Sequence, residues 1–305
     1  MNQLSGYLMV AAAALCWGLS ATAAKALLNQ SVGTVLLVQT RATVAAAVMA
    51  AFLALFKRAL LRISARDLWK FCLLGIAGVA GSNFTYYFAI REGTVAIAIV
   101  LQYTAPLLVM AYAAWTREEK VTAVKVASAL IAIAGCFLAV GGFGEGNARM
   151  SVIGLASGIL SAFCFGFMTV YTRHLLERYS VWTVTCYSLV AAAAFWLVIN
   201  PPWVVVAQSP DAPMWAALAG LAIVSVLIPH TLFFGGLRHV VASRAIILST
   251  LEPVIAIVSA ALIIGEALTQ LQLAGAAIVL AAVIGLQVRR EPGGEELPEE
   301  SHDGE

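Results

Sequence analysis

The sequence predicts an all-α integral membrane protein of ten transmembrane helices, built as two five-helix repeats with the second inverted. Three observations predict it. First, 62% of the 305 residues are hydrophobic and 11% are charged, with a mean hydropathy of +0.92, whereas soluble domains carry roughly 25% charged residues. Second, the apolar residues fall into ten runs, each close to the ~20 residues that cross a bilayer as a helix. Third, the chain repeats itself. At a shift of 148, Leu15-Cys16-Trp17-Gly18 falls on Phe163-Cys164-Phe165-Gly166, Gly6 on Gly154 and Lys25 on Arg173. At a shift of 147, Tyr86-Tyr87 falls on Phe233-Phe234, Arg91 on Arg238, Pro106 on Pro253 and Glu119 on Glu266. An odd number of spans in each copy turns the second copy over, and inverted repeats are how many carriers expose one central site to two sides in turn.

The expected spans are 7–27, 34–56, 68–89, 94–115, 122–141, 152–173, 181–199, 214–236, 243–264 and 270–288. They are too long for strands, and backbone in lipid must satisfy its own hydrogen bonds, which leaves helices. The first run has no charged n-region and no small-residue cleavage site before Tyr7, so it reads as a retained helix rather than a signal peptide. Gly75, Gly78 and Gly81 in the third span, and Gly154-x-x-x-Gly158 in the sixth, read as close helix packing, with hinging as the alternative. Longer breaks occur only at 57–67, 141–151 and 200–213. The organisation is therefore a first repeat at 6–141, a linker at 142–151, a second repeat at 152–288, and an acidic, disordered cytoplasmic tail at 289–305.

Charge sets the orientation. Of the 18 lysines and arginines, Arg41 lies within a span, and a cytoplasmic N-terminus leaves only Lys25, Arg91 and Arg149 outside. The rest gather at inner ends, so both termini are expected in the cytoplasm. Glu119 then lies inside and its counterpart Glu266 outside, as inverted copies require. The five cysteines, Cys16, Cys72, Cys136, Cys164 and Cys186, sit in apolar stretches without metal-ligand spacing and read as packing residues.

At the level of motifs, Trp17-Gly18…Lys25, Tyr86-Tyr87-Phe88-Ala89-Ile90, Ala105-Pro106, Glu118-Glu119 and Gly135 resemble an EamA domain of the drug/metabolite transporter superfamily. The second copy is closer still: Phe233-Phe234-Gly235-Gly236-Leu237, Leu248-Ser249-Thr250-Leu251-Glu252-Pro253, Gly265-Glu266 and Gly275. The likeness covers about residues 6–288. It implies a ten-helix carrier of two inverted five-helix repeats in the bacterial inner membrane, exporting amino acids or other small metabolites. The first copy departs from the pattern with Thr116-Arg117, where a Gly-Glu approach is usual.

Charged residues inside spans carry the sharpest functional signal, because each costs roughly 2.5–3.5 kcal/mol or more near the bilayer centre. Arg41 falls on Leu189 of the other copy and Glu252 on Ala105, so neither charge is repeated. Glu252 is a candidate for proton coupling or for a substrate amine, against a structural carboxylate beside Pro253. Arg41 is a candidate for a substrate carboxylate, against a snorkelling or helix-bracing side chain. His230 follows Pro229 and takes the repeat position of Asn83, so both third helices place a polar residue at one point. Gly78, Gly81 and Pro229 weaken the helix there and are expected breaks or hinges, together with Pro106 and Pro253. His230 is the second candidate for carrying a proton.

Trp17, Phe165, Tyr86, Tyr87, Phe233, Phe234 and Tyr103 form a repeat-related aromatic set suited to a cavity for an amphipathic solute, with Gln102 and Ser249 adding hydrogen-bonding groups. Singly, each is equally a packing residue. The expected function is secondary export of amino-acid-like metabolites such as threonine, methionine or aromatic amino acids, by facilitated diffusion or proton antiport. Other amphipathic drugs or metabolites are the alternative cargo, and a channel or intramembrane enzyme the remote ones. Gly141-Gly142-Phe143-Gly144-Glu145-Gly146 completes no nucleotide-binding motif. No cofactor, metal, nucleic acid or protein partner is expected, only substrate, bilayer and, for antiport, protons.

Overall fold

The computed structural model describes residues 3–29, 33–93, 95–141, 151–207, 211–264 and 268–288, and among these every regular element is helical. The long helices are α1 (Gln3–Asn29), α2 (Thr34–Phe56), α3 (68–92), α4 (95–116), α5 (Ala123–Ala139), α6 (Val152–Leu176), α7 (Val181–Ile199), α8 (212–237), α9 (242–264) and α10 (Gln270–Val288), with short helical turns at Arg58–Leu61, Ala65–Asp67 and Pro202–Ala207. Eight stretches are long and apolar enough to cross a membrane, and α5 and α10 are shorter apolar helices. Single polar residues set several starts: Ser151, Ser180 and Asp211 accept from the backbone N–H of Gly154, Thr183 and Met214 at 3.0, 3.2 and 2.9 Å. The expected linker at 142–150, the tail at 289–305, Gly265, Glu266 and the Lys25 side chain lie outside the described residues, as do the charges Arg149, Arg289 and Arg290.

Most of the packing runs between the two halves of the chain. Helix α1 lies against α8 and α9, α6 lies against α3 and α4, α2 packs on α7, and α5 on α10. Exchanging helices five apart turns the α1 pairings into the α6 pairings and each of the other two into itself. Small residues permit the crossings. A Cβ added to Gly18 on α1 would sit 2.7 Å from the Glu252 carbonyl oxygen on α9, and one on Gly135 of α5 would sit 2.8 Å from Val279 of α10. Hydrophobic periodicity is useless as a guide to these faces, since the outer surface is apolar too: Leu262, Trp115 and Val152 are all more than 80% exposed.

The third helix of each half departs from the expectation of a break. Helices α3 and α8 run continuously through Gly78, Gly81 and Pro229, with wider π-helical winding at Leu74–Ala80 and Ile223–Leu227. Extra winding absorbs the missing proline donor, because an i→i+5 ladder can skip one bond without ending the helix. Among the described residues the interruptions come in the fourth helices, beside the expected breaks at Pro106 and Pro253, where α4 divides into Val95–Gln102 and Ala105–Thr116, and α9 into Ala242–Leu248 and Leu251–Ile264. Pro106 and Pro253 stand just after these turns, in first-turn positions that tolerate a missing N–H.

Two connections at the basic end of the bundle are tied together. Asp67 accepts from Tyr179 Oη at 2.6 Å and pairs with Lys70 at 2.9 Å and Arg178 at 3.0 Å. The bond to the Asp67 carboxylate pushes the Tyr179 phenol above its ordinary range. Arg117, the residue that departs from the family pattern, ends α4 in the left-handed region at φ 59°. A side chain there costs roughly 1–2 kcal/mol, partly offset by the chain entropy that glycine loses on folding. Arg117→Gly is therefore expected to raise the thermal midpoint in detergent by a few degrees, corresponding to about 0.5–1 kcal/mol.

Candidate functional site

The fourth-helix turns and the π-wound third helices converge in the middle of the bundle. At its centre Trp17 from α1 touches Phe165 of α6, and His230 and Phe233 of α8, at centroid separations of 6.2, 5.8 and 5.4 Å. Phe165 stacks on Phe233 at 5.8 Å and meets Tyr103 edge-on at 6.5 Å, while Phe234 packs on His230 at 5.9 Å. The four helices that carry this cluster come from both halves of the chain. Trp17 is only partly buried, whereas Phe233, Phe234 and Tyr103 are within 1% of complete burial.

Tyr103 joins the aromatic cluster to the acidic residue. Its hydroxyl lies 2.7 Å from Glu252 Oε2 and 3.0 Å from the Ser249 carbonyl oxygen. One hydroxyl hydrogen faces two acceptors, so Tyr103 ties the turn of α4 to the turn of α9. Ser249 itself contributes this carbonyl, because its own hydroxyl donates to Ile246 at 2.7 Å.

Arg41 of α2 is 97% buried and does not snorkel. Its Nε donates to Ser225 Oγ at 2.8 Å, and Ser225 passes its own proton to the Leu221 carbonyl at 2.5 Å. The guanidinium carbon sits 5.0 Å from the Tyr87 ring centroid, and Tyr87 meets Tyr86 at 5.4 Å. Nη1 of Arg41 is buried without a hydrogen-bond partner. A buried guanidinium N–H left unpaired is costly, and the chemistry that satisfies it best is a carboxylate. Arg41 also lies within Coulombic range of Glu252 and His230. His230 Nδ1 lies 2.8 Å from the Val226 carbonyl, which can only accept, so Nδ1 carries the proton and Nε2 is left as an acceptor.

Two further expected site residues have hydrogen-bond partners on α3. Asn83 donates to Val79 of its own helix at 2.8 Å. Gln102 reaches Ser82 at 3.4 Å. Ser225 was not among the sequence candidates. It lies five residues before His230 and aligns with Gly78 of the other copy, so its signal was a lone hydroxyl in an apolar run.

A helical membrane protein with a charged, aromatic centre shared by both halves of its chain is a transporter architecture. The chain belongs to the EamA-like transporter family, whose pattern matches residues 4–141 and 152–287. An uncharacterized transporter of Archaeoglobus fulgidus is 30% identical over 214 residues, 68% of this chain and 74% of its own length. The threonine/homoserine exporter RhtA of Escherichia coli (strain K12) is 26% identical over 251 residues, 80% of each chain. A solved crystal structure covers 94% of this chain and 98% of its own at a TM-score of 0.77, with 22% identity, a likeness of fold.

Proposed function

We propose that this protein is a secondary exporter of small amino-acid-like metabolites, with ten membrane spans in two inverted repeats that rock about the central site. The observation that carries the reading is a buried Arg41 with an unsatisfied Nη1 within Coulombic range of Glu252, beside the aromatic cluster. A zwitterion offers a carboxylate to the guanidinium and an ammonium to the carboxylate or to the Trp17, Tyr86 and Tyr87 rings. RhtA, similar over four-fifths of the chain, is an exporter of such solutes by its name.

Alternating access is supported by the pattern of packing, in which every main pairing has its counterpart five helices on. In this reading the repeats 6–141 and 152–288 exchange conformations, with the turns at Pro106 and Pro253 as hinges and the π-wound stretches near Gly78, Gly81 and Pro229 as yielding points. The bias of Lys and Arg toward one set of helix ends supports cytoplasmic termini, in a reading that sets the protein in a bacterial inner membrane.

The test is uptake of labelled threonine, methionine and phenylalanine into liposomes holding the purified protein, with and without a pH gradient. Saturable uptake of at least one is expected. Uptake that only equilibrates makes the protein a facilitator; accumulation in vesicles that are acidic inside, driven by protons leaving, makes it an antiporter. No uptake of any of the three removes the amino-acid assignment.

A further inference from the structure

Away from the central site, a cavity of about 340 Å³ opens between α2, α7 and α8, lined by Val48, Met49, Phe52, Trp182, Leu227 and Thr231 among others. Its lining is almost wholly apolar, and its one polar side chain, Thr231, spends its hydroxyl on the Leu227 carbonyl at 2.7 Å. Water in such a space finds no partners, so the natural occupant is hydrocarbon. The cavity opens at the bundle surface, where Val48 and Ile228 are 41% and 40% exposed. One wall is the aromatic pair Phe52 and Trp182, with centroids 5.5 Å apart.

At the basic end the groove meets cations. Lys57 Nζ lies 5.3 Å from the Trp182 ring centroid, and Arg58, Arg62 and Arg66 follow it, all exposed. The acid in this stretch, Asp67, is already engaged by Lys70 and Arg178. Nine residues of α2 separate Val48 from Lys57, a helical rise of about 13 Å, which is close to one leaflet of a hydrocarbon core ~30 Å thick.

We propose that this groove binds an anionic glycerophospholipid, with one acyl chain along Val48, Phe52 and Thr231 and the phosphate against Lys57 and Arg58. Basic pockets between membrane helices recognise such headgroups by charge, while the acyl slot supplies binding that a soluble anion lacks. The site needs no transport cycle, so its test is independent of the function proposed above.

The experiment is native mass spectrometry of the delipidated full chain titrated with phosphatidylglycerol, phosphatidylcholine or glycerol 3-phosphate. Expected are phosphatidylglycerol adducts retained several-fold better than phosphatidylcholine and no glycerol 3-phosphate adduct. Val48→Trp fills the slot from an exposed position and should cut phosphatidylglycerol retention about tenfold. Thr231→Phe does so from the opposite wall, should Val48→Trp not fold. Lys57→Gln with Arg58→Gln should leave lipid binding but abolish the headgroup preference. Equal retention of the two lipids by the unaltered protein, undiminished retention by a folded slot-filling variant, or glycerol 3-phosphate binding as well as the lipid would overturn the proposal.

Discussion

Arg41→Met is expected to lower the kcat/KM for amino-acid transport by roughly 10–100-fold while leaving the protein folded, since a charged hydrogen bond contributes about 1.5–3 kcal/mol. The fold should tolerate the change for a specific reason. Ser225 Oγ keeps its own bond to Leu221 when the guanidinium goes, and the Ser225 carbonyl loses only a long contact of 3.4 Å. A decarboxylated substrate, the corresponding amine, should lose nothing further in the variant, because the missing interaction is with the carboxylate. The measurement is liposome uptake of amino acid and amine side by side, with the thermal midpoint in detergent as the control for folding. A variant that folds and transports the amino acid normally would leave Arg41 as a brace between α2 and α8.

Glu252→Gln is expected to separate coupling from translocation. Glutamine keeps an oxygen to accept from Tyr103, so the 2.7 Å contact between α4 and α9 survives while the titratable proton is lost. If Glu252 carries the proton of an antiport cycle, a gradient of one pH unit, which supports at most about tenfold accumulation at one proton per substrate, should yield none in the variant. Exchange of labelled for unlabelled substrate without a gradient should persist. Full response of the variant to the gradient would make Glu252 structural. Tyr103→Phe is the companion measurement, because it removes the donor and leaves the carboxyl.

Much of the helical layout was legible in the sequence. The expected spans 34–56, 181–199 and 270–288 coincide with α2, α7 and α10 at both ends. The reason is physical: lipid leaves helix as the way to satisfy each backbone group locally, so a run of apolar residues fixes both the state and the length. The aromatic set was legible for another reason. Trp17 and Phe165 stand at matching places in two copies of one unit, and the packing of the copies brings those two rings together.

The charged half of the site was not legible to the same degree. Arg41 and Glu252 stood out because each is costly in an apolar span, yet nothing in the chain tied Arg41 to Ser225, or Glu252 to Tyr103. Those partners are 184 and 149 positions away. Their repeat counterparts, Leu189, Gly78 and Ala105, carry no matching polarity to announce them. Nor could composition separate the faces of helices that are apolar all round.

What the sequence determined by itself was therefore the set of helices, their duplication and the residues too polar to lie in lipid without a purpose. Only the tertiary structure decided that the third helices wind rather than break, that of the expected breaks those beside Pro106 and Pro253 are real, and which polar groups meet across them. Hydrogen bonding within a helix is local and can be read along the chain. The partner of a buried side chain is whatever the packing of distant helices places beside it, and small residues such as Gly18 and Gly135 set that packing through their lack of a side chain.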